Sequence, residues 1–150
     1  MLCLLLTKCQ TKSIIIAMEK YFVKTIKDKV DINVRVPGSK SITNRALVLA
    51  ALSNDECTLE GVSLCSDSQA MIECLIELGF EVHLDDERCT VNIKGEGGKI
   101  PNDNVKINVR SAGTVARFLT AMLCVCRGNY TLNSSEQMKK RPMKDFLDAF

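Results

Sequence analysis

Short alternating runs and stretches of helical period follow one another along the chain, and their order repeats. Residues 19–26 are rich in aromatic and β-branched side chains and predict a strand, turned by Lys27-Asp28-Lys29. Residues 30–36 (VDINVRV) alternate and predict a second strand, stopped by Pro37-Gly38. Ile42, Ala46, Leu49 and Ala50 recur at helical spacing, so residues 41–53 predict a helix with these side chains as its apolar stripe. Residues 57–60 predict a short strand bounded by Gly61. Ser66-Asp67-Ser68-Gln69 has the S-x-x-Q form of a capping box. The helix it opens carries Met71, Ile72, Leu75, Ile76 and Leu78, and Gly79 stops it. Residues 80–84 and 90–93 alternate on either side of Asp85-Asp86-Glu87 and predict a hairpin, followed by a Gly- and Asn-rich loop over 94–104.

A second copy of this order then begins. Residues 106–110 predict a strand, 112–126 a helix with Val115, Phe118, Leu119 and Met122 on one side, and 130–132 another strand after Gly128. Pro142 sits where a first helical turn tolerates proline and opens a helix with Phe146, Leu147 and Phe150. The copies superimpose 72 residues apart, Ser39 on Ser111 and Arg45 on Arg117, with one inserted residue before Thr58-Leu59 meets Thr131-Leu132. The fold class expected is α+β, with one complete β-α-β-α-β-β unit and most of a second. The pattern stops inside a helix at Phe150, so a truncated domain is expected.

Composition narrows the function classes. A hydrophobic content of 46% with 25% charged residues describes a globular protein, and a formal net charge of +2 is too small to argue for nucleic acid. The apolar runs 2–6 and 14–17 are too short to span a bilayer. No basic stretch precedes the first of them, so residues 1–17 read as an extension, non-native or disordered, ahead of the fold at residues 18–150. The eight cysteines include no C-x-x-C pair, and His83 is the single histidine, so zinc spacing cannot be assembled. They read as small core residues in a reducing cytoplasm.

Candidate chemistry gathers at helix starts. In Pro37-Gly38-Ser39-Lys40-Ser41-Ile42-Thr43-Asn44-Arg45 a helix N-terminus offers unpaired N–H groups and partial positive charge. Gly38 allows close approach, Ser39 and Ser41 add hydroxyls, and Lys40 adds charge. Arg45 stands one turn above Ser41 on the same face. Taken singly, the string reads first as a capped helix with solvated charges. It is not a P-loop, because Val34 and Ser39 occupy the glycine positions, and Gly95-Glu96-Gly97-Gly98 opens no helix. Arg117, after Ser111-Ala112-Gly113-Thr114, repeats the placement of Arg45, and Arg141 precedes Pro142 at another expected helix mouth. Four cations at equivalent helix ends indicate a site for a polyanion.

Three ordered blocks carry a resemblance. PGSKSITNRAL is similar to the N-terminal signature of the 3-phosphoshikimate 1-carboxyvinyltransferase (EPSP synthase) family, SAGTVARFLTA to its N-A-G-T-x-x-R segment, and MKKRPMKDFLDA to its M-K-x-R-P-[IM] segment. Ser111, Ser68 and Phe118 depart from the residues common there. The resemblance runs from about Met18 to Phe150 and implies two similar domains, each of three such units. The chain is then an N-terminal part, with residues 19–26 belonging to the other domain and 30–150 forming two units of one domain.

It also implies an activity, transfer of the enolpyruvyl group of phosphoenolpyruvate to the 5-hydroxyl of shikimate 3-phosphate with release of phosphate, using no cofactor and no metal. Lys40 would contact both substrates, Ser41 and Arg45 shikimate 3-phosphate, and Gly113, Thr114, Arg117 and Arg141 phosphoenolpyruvate or the loop that holds it. The partners implied are these two substrates and the missing C-terminal part, with no nucleic acid and no membrane. No acid or base that moves protons is expected within this chain, which is expected to be inactive alone. Two alternatives stand beside this reading: a UDP-N-acetylglucosamine enolpyruvyl transferase, and a non-catalytic anion-binding module.

Overall fold

The computed structural model describes residues 31–34 and 36–149. The chain divides into two compact units, Met1–Val34 and Arg35–Phe150. The strand expected at residues 19–26, the extension 1–17 and Phe150 lie outside the described residues.

The second unit runs α1 (Lys40–Leu52), β1 (Glu56–Glu60), α2 (Ser66–Glu77), β2 (Val82–Asp85), β3 (Thr90–Lys94), β4 (Asn104–Asn108), α3 (Gly113–Cys124), β5 (Asn129–Asn133), α4 (Glu136–Lys139) and α5 (Lys144–Leu147). The hairpin forms as the alternation predicts. β3 lies between β1 and β2 and pairs antiparallel with both, Thr58 opposite Asn92 and Leu84 opposite Val91. β4 and β5 pair parallel, Ile107 opposite Leu132. Val91, Ile93 and Ile107 point into a core filled from the helices by Leu47, Met71, Leu75, Leu78, Val115 and Leu119. The fold is α+β. Among the described residues no helix is long and apolar enough to cross a membrane.

The repeat is visible in burial. The buried residues Thr43, Asn44, Leu47, Ala50 and Ala51 of α1 correspond, 72 positions on, to Val115, Ala116, Leu119, Met122 and Leu123, all buried in α3. β1 and β5 are offset by 73, from 56 to 129, so the inserted residue lies between helix and strand.

Four expectations need correction. Residues 31–34 and 36 form no strand, because no described strand lies alongside to complete a ladder. Of the expected apolar stripe of α1 only Ala50 is buried, and Ile42 and Leu49 are 66% and 69% exposed. Thr43 and Asn44 take the interior instead, Thr43 because its Oγ1 accepts the Ser63 N–H at 3.0 Å. The capping box does not form, since Cys65 is the N-cap of α2 and makes no side-chain cap bond, leaving Ser66 inside the first turn. Finally, Pro142 opens no helix directly. Arg141 and Pro142 connect α4 to α5, which buries no residue, as the bias of a pre-proline residue away from helix leads one to expect. The stop after α2 holds: Gly79 at φ +94 sends its N–H to Ile76 O, and Phe80 reaches Leu75 O, the double C-terminal bond of a Schellman turn.

Candidate anion-binding site

The starts of α1, α2 and α3 bring the chemistry together. Lys40 is the first residue of α1, after the N-cap Ser39. Its Nζ donates to Asp67 Oδ2 at 2.8 Å, and Asp67 lies in the first turn of α2. That hydrogen bond and the carboxylate's charge hold the Lys40 ammonium above its usual range, while the nearby Arg141 guanidinium works against it. Arg141 thus acts on Lys40 from 101 positions along the chain. Ser41 follows on α1, half-buried.

Gly113 opens α3 and is buried, with Thr114 half-buried beside it. Arg117 turns back along the helix, and its Nη1 donates to Gly113 O at 3.2 Å while Nη2 approaches Pro142 O at 3.5 Å. A Cβ placed on Gly113 would stand 2.6 Å from Arg141 Nη1 and 3.2 Å from Arg117 Nη1. Two guanidiniums thus flank one glycine at a helix N-terminus, where only the absence of a side chain leaves them room. Among the described residues neither arginine has a carboxylate partner. The planar fork of each suits an oxyanion, and the α3 N–H groups add a dipole of the same sign.

Arg45 lies elsewhere. It is exposed and lines an open apolar hollow of about 460 Å³ with Val48, Leu49, Leu52, Phe118 and Met122. Of the seven residues singled out in the sequence, the structure brings together Gly113, Arg117 and Arg141, with Thr114 next in chain, while Lys40, followed by Ser41, pairs with Asp67.

The sequence reading missed three features. Asp67, read there as part of a cap, neutralises Lys40. Cys65, read there as core, caps α2 beside Lys40. Burial alone would raise its thiol, but bonds from Ser68, Ser63 and the Ser68 and Asp67 backbone hold it below the usual range. Asn44 is fully buried, and neither amide atom is hydrogen-bonded among the described residues. An acidic residue two positions from a helix start was the available signal for Asp67. Nothing in the pattern distinguishes Asn44 from a solvated residue. No group of three metal-binding side chains occurs among the described residues.

Comparison with known proteins bears on this geometry. The family model described as EPSP synthase (3-phosphoshikimate 1-carboxyvinyltransferase) matches residues 24–150. The 3-phosphoshikimate 1-carboxyvinyltransferase of Trichormus variabilis is 38% identical over 130 residues, 87% of this chain and 30% of that protein. That of Neisseria gonorrhoeae is 42% identical over 117 residues, 77% of this chain and 27% of that protein. In structure, the EPSP synthase from Acinetobacter baumannii aligns with a TM-score of 0.69 at 22% identity, covering 77% of this chain and 26% of that one. The chain spans under a third of the length of the curated relatives it matches.

Proposed function

The chain belongs to the EPSP synthase family, and on that premise we propose that it supplies the anion-holding part of an enolpyruvyl transferase. The reaction is transfer from phosphoenolpyruvate to the 5-hydroxyl of shikimate 3-phosphate, with release of phosphate. The observation that carries this reading is Gly113 at the start of α3, flanked by the Arg117 and Arg141 guanidiniums. Such an arrangement sets two guanidiniums, neither with a carboxylate partner among the described residues, beside helix N–H groups that suit an anion's oxygens.

In this reading Gly113, Arg117 and Arg141 hold phosphoenolpyruvate, and Thr114 supports that loop. Lys40 bridges the two substrates, and Ser41 and Arg45 serve shikimate 3-phosphate. Charge-assisted bonds to the phosphate strengthen as it leaves, so the cations lower the barrier by stabilising developing charge, the kind of stabilisation that dominates acyl and phosphoryl chemistry. Residues 30–150 form two repeat units of one domain, and the proton-moving acid and base come from sequence beyond this chain. The six described cysteines are free thiols, which fits a cytoplasmic setting.

The test is phosphate release with both substrates. We expect none from the 150-residue chain alone, because transfer needs proton movement and exclusion of water as well as binding. We expect turnover once a C-terminal remainder from a family member is added. Turnover by the chain alone would refute the division of labour. No turnover, together with phosphoenolpyruvate binding indistinguishable from that of unrelated anions, would favour a non-catalytic anion-binding module.

A further inference from the structure

We propose that Arg110 is a positioning residue, the tie that sets where the start of α3 and Arg141 stand relative to α2. The inference deepens the functional reading above and rests on it only for what the positioned groups hold.

Arg110 lies in the turn between β4 and α3, where Ala112 N–H bonds Val109 O at 3.0 Å. Its backbone takes the left-handed conformation, φ +53, which a residue with a Cβ adopts at a cost. Glycine would serve that turn without strain, so a long cationic side chain there points to what its far end does. Arg110 Nη2 donates to both carboxylate oxygens of Glu73 on α2, at 2.7 and 2.6 Å.

The same residue is bound on both sides of its backbone. Its N–H bonds Asn108 Oδ1 at 3.0 Å, and its carbonyl accepts the Ser135 N–H at 2.9 Å. Ser111 Oγ then donates to Ser135 Oγ at 2.8 Å, and Ser135 caps α4. Arg141 follows from that cap, its N–H on Met138 O at 3.0 Å. Arg110 is thus the node joining three elements: α2, whose first turn carries Asp67 against Lys40; the loop that ends in Gly113; and the loop that ends in Arg141. Cutting its side chain from Glu73 loosens the second and third against the first, which still meets them through the shared core and through Cys74 Sγ, donating to Asn108 O at 3.5 Å. The site would keep every group, with their spacing less firmly fixed, and oxyanion binding by preset charges depends on that spacing.

The experiment compares wild type, Arg110→Gly, Glu73→Gln and the reversed pair Arg110→Glu with Glu73→Arg. Without any ligand, amide hydrogen exchange at Ala112 and Ser135 should rise about two- to fivefold in each single variant, as the loss of a partly exposed ion pair allows, while exchange at the core amides Val91 and Ile93 stays at the wild-type rate. The reversed pair should return Ala112 and Ser135 to protection. In phosphate titrations the single variants should bind inorganic phosphate several-fold more weakly, and the reversed pair should recover. Arg110→Gly keeps the turn, and Glu73→Gln removes the charge and one of the two acceptors of the same tie from α2, so a folding failure in one leaves the other to decide. Unchanged exchange at Ala112 and Ser135 in both single variants would overturn the proposal, as would a uniform rise that includes the core. If wild type binds no phosphate, the functional reading fails while the exchange data still decide the tie.

Discussion

The helices α1 and α3 occupy equivalent places in the repeat, and their differences show how one scaffold is divided between structure and chemistry. Their inner faces match position for position, yet α3 buries Val115 and Ala116 where α1 buries Thr43 and Asn44. Their starts differ in the opposite sense. At α1 the cation Lys40 is already answered by Asp67 at 2.8 Å. At α3 two arginines meet over Gly113 with no carboxylate among the described residues. The first helix spends polarity on internal ties, and the second leaves its charge for a ligand. Repetition of backbone therefore does not imply repetition of role.

The widest contrast lies within α2, whose start faces α1 and whose middle faces β4. Cys65 is half-buried with a thiol held below its usual range, whereas burial pushes Cys74 up to about 12. With iodoacetamide at neutral pH, mass spectrometry should find Cys65 alkylated on the order of a hundredfold faster than Cys74. Comparable rates would mean that α2 is not packed as described. The sign for stability follows: unfolding lets Cys74 ionise near its ordinary 9.0, so stability should fall as pH climbs from 9.0 towards 12, and Cys74→Ala should flatten that fall.

Next in size are changes at the α3 start. Arg141→Ala should weaken inorganic phosphate binding by about tenfold or more, the loss of one charge-assisted bond. Gly113→Ala should do the same without unfolding the protein, because its Cβ meets the far ends of the flexible Arg141 and Arg117 side chains, at 2.6 and 3.2 Å, and no backbone. Calorimetry with unchanged affinity in either variant would remove that residue from the site.

The buried faces offer a smaller effect with opposite signs in the two helices. Asn44→Leu should raise stability by about 1 kcal/mol or more, since it replaces two unsatisfied polar atoms by an apolar side chain of similar shape. Ala116→Asn, at the matching place in α3, should lower stability by about 1–3 kcal/mol. Chemical denaturation reads both. A loss of stability in Asn44→Leu would show that the amide has a partner after all. The smallest effect is expected at the α1 start: Asp67→Asn should free Lys40 and tighten phosphate binding about two- to threefold, since the pair is partly exposed and screened.

Much of this was legible before the structure. The hairpin, the helices and the repeat rest on period and turn chemistry, which local sequence carries. Lys40, Gly113 and Arg117 were legible as helix-end groups, whereas Arg141, expected at a helix mouth, lies in the connection between α4 and α5. Packing choices were not. Ile42 and Leu49 look like a core stripe, but the interior admits Thr43 once Ser63 N–H satisfies it, and that bond spans 20 residues. The exposed hollow around Arg45 and Phe118 likewise depends on which faces the helices turn towards each other. The Lys40–Asp67 and Arg110–Glu73 ties are long-range pairings, for which charge alone gives no register. The strand expected over 30–36 shows the other limit, for alternation marks a segment able to pair and not the neighbour it needs.

The central claim is that the α3 start and Arg141 hold an oxyanion. Crystals soaked in tungstate, a heavy analogue of phosphate, test it directly through anomalous scattering. The account expects one strong peak within hydrogen-bonding distance of the Arg117 and Arg141 guanidiniums and the Gly113 backbone, lost in Arg141→Ala. A peak bound elsewhere in preference, or an unchanged peak in Arg141→Ala, would contradict it.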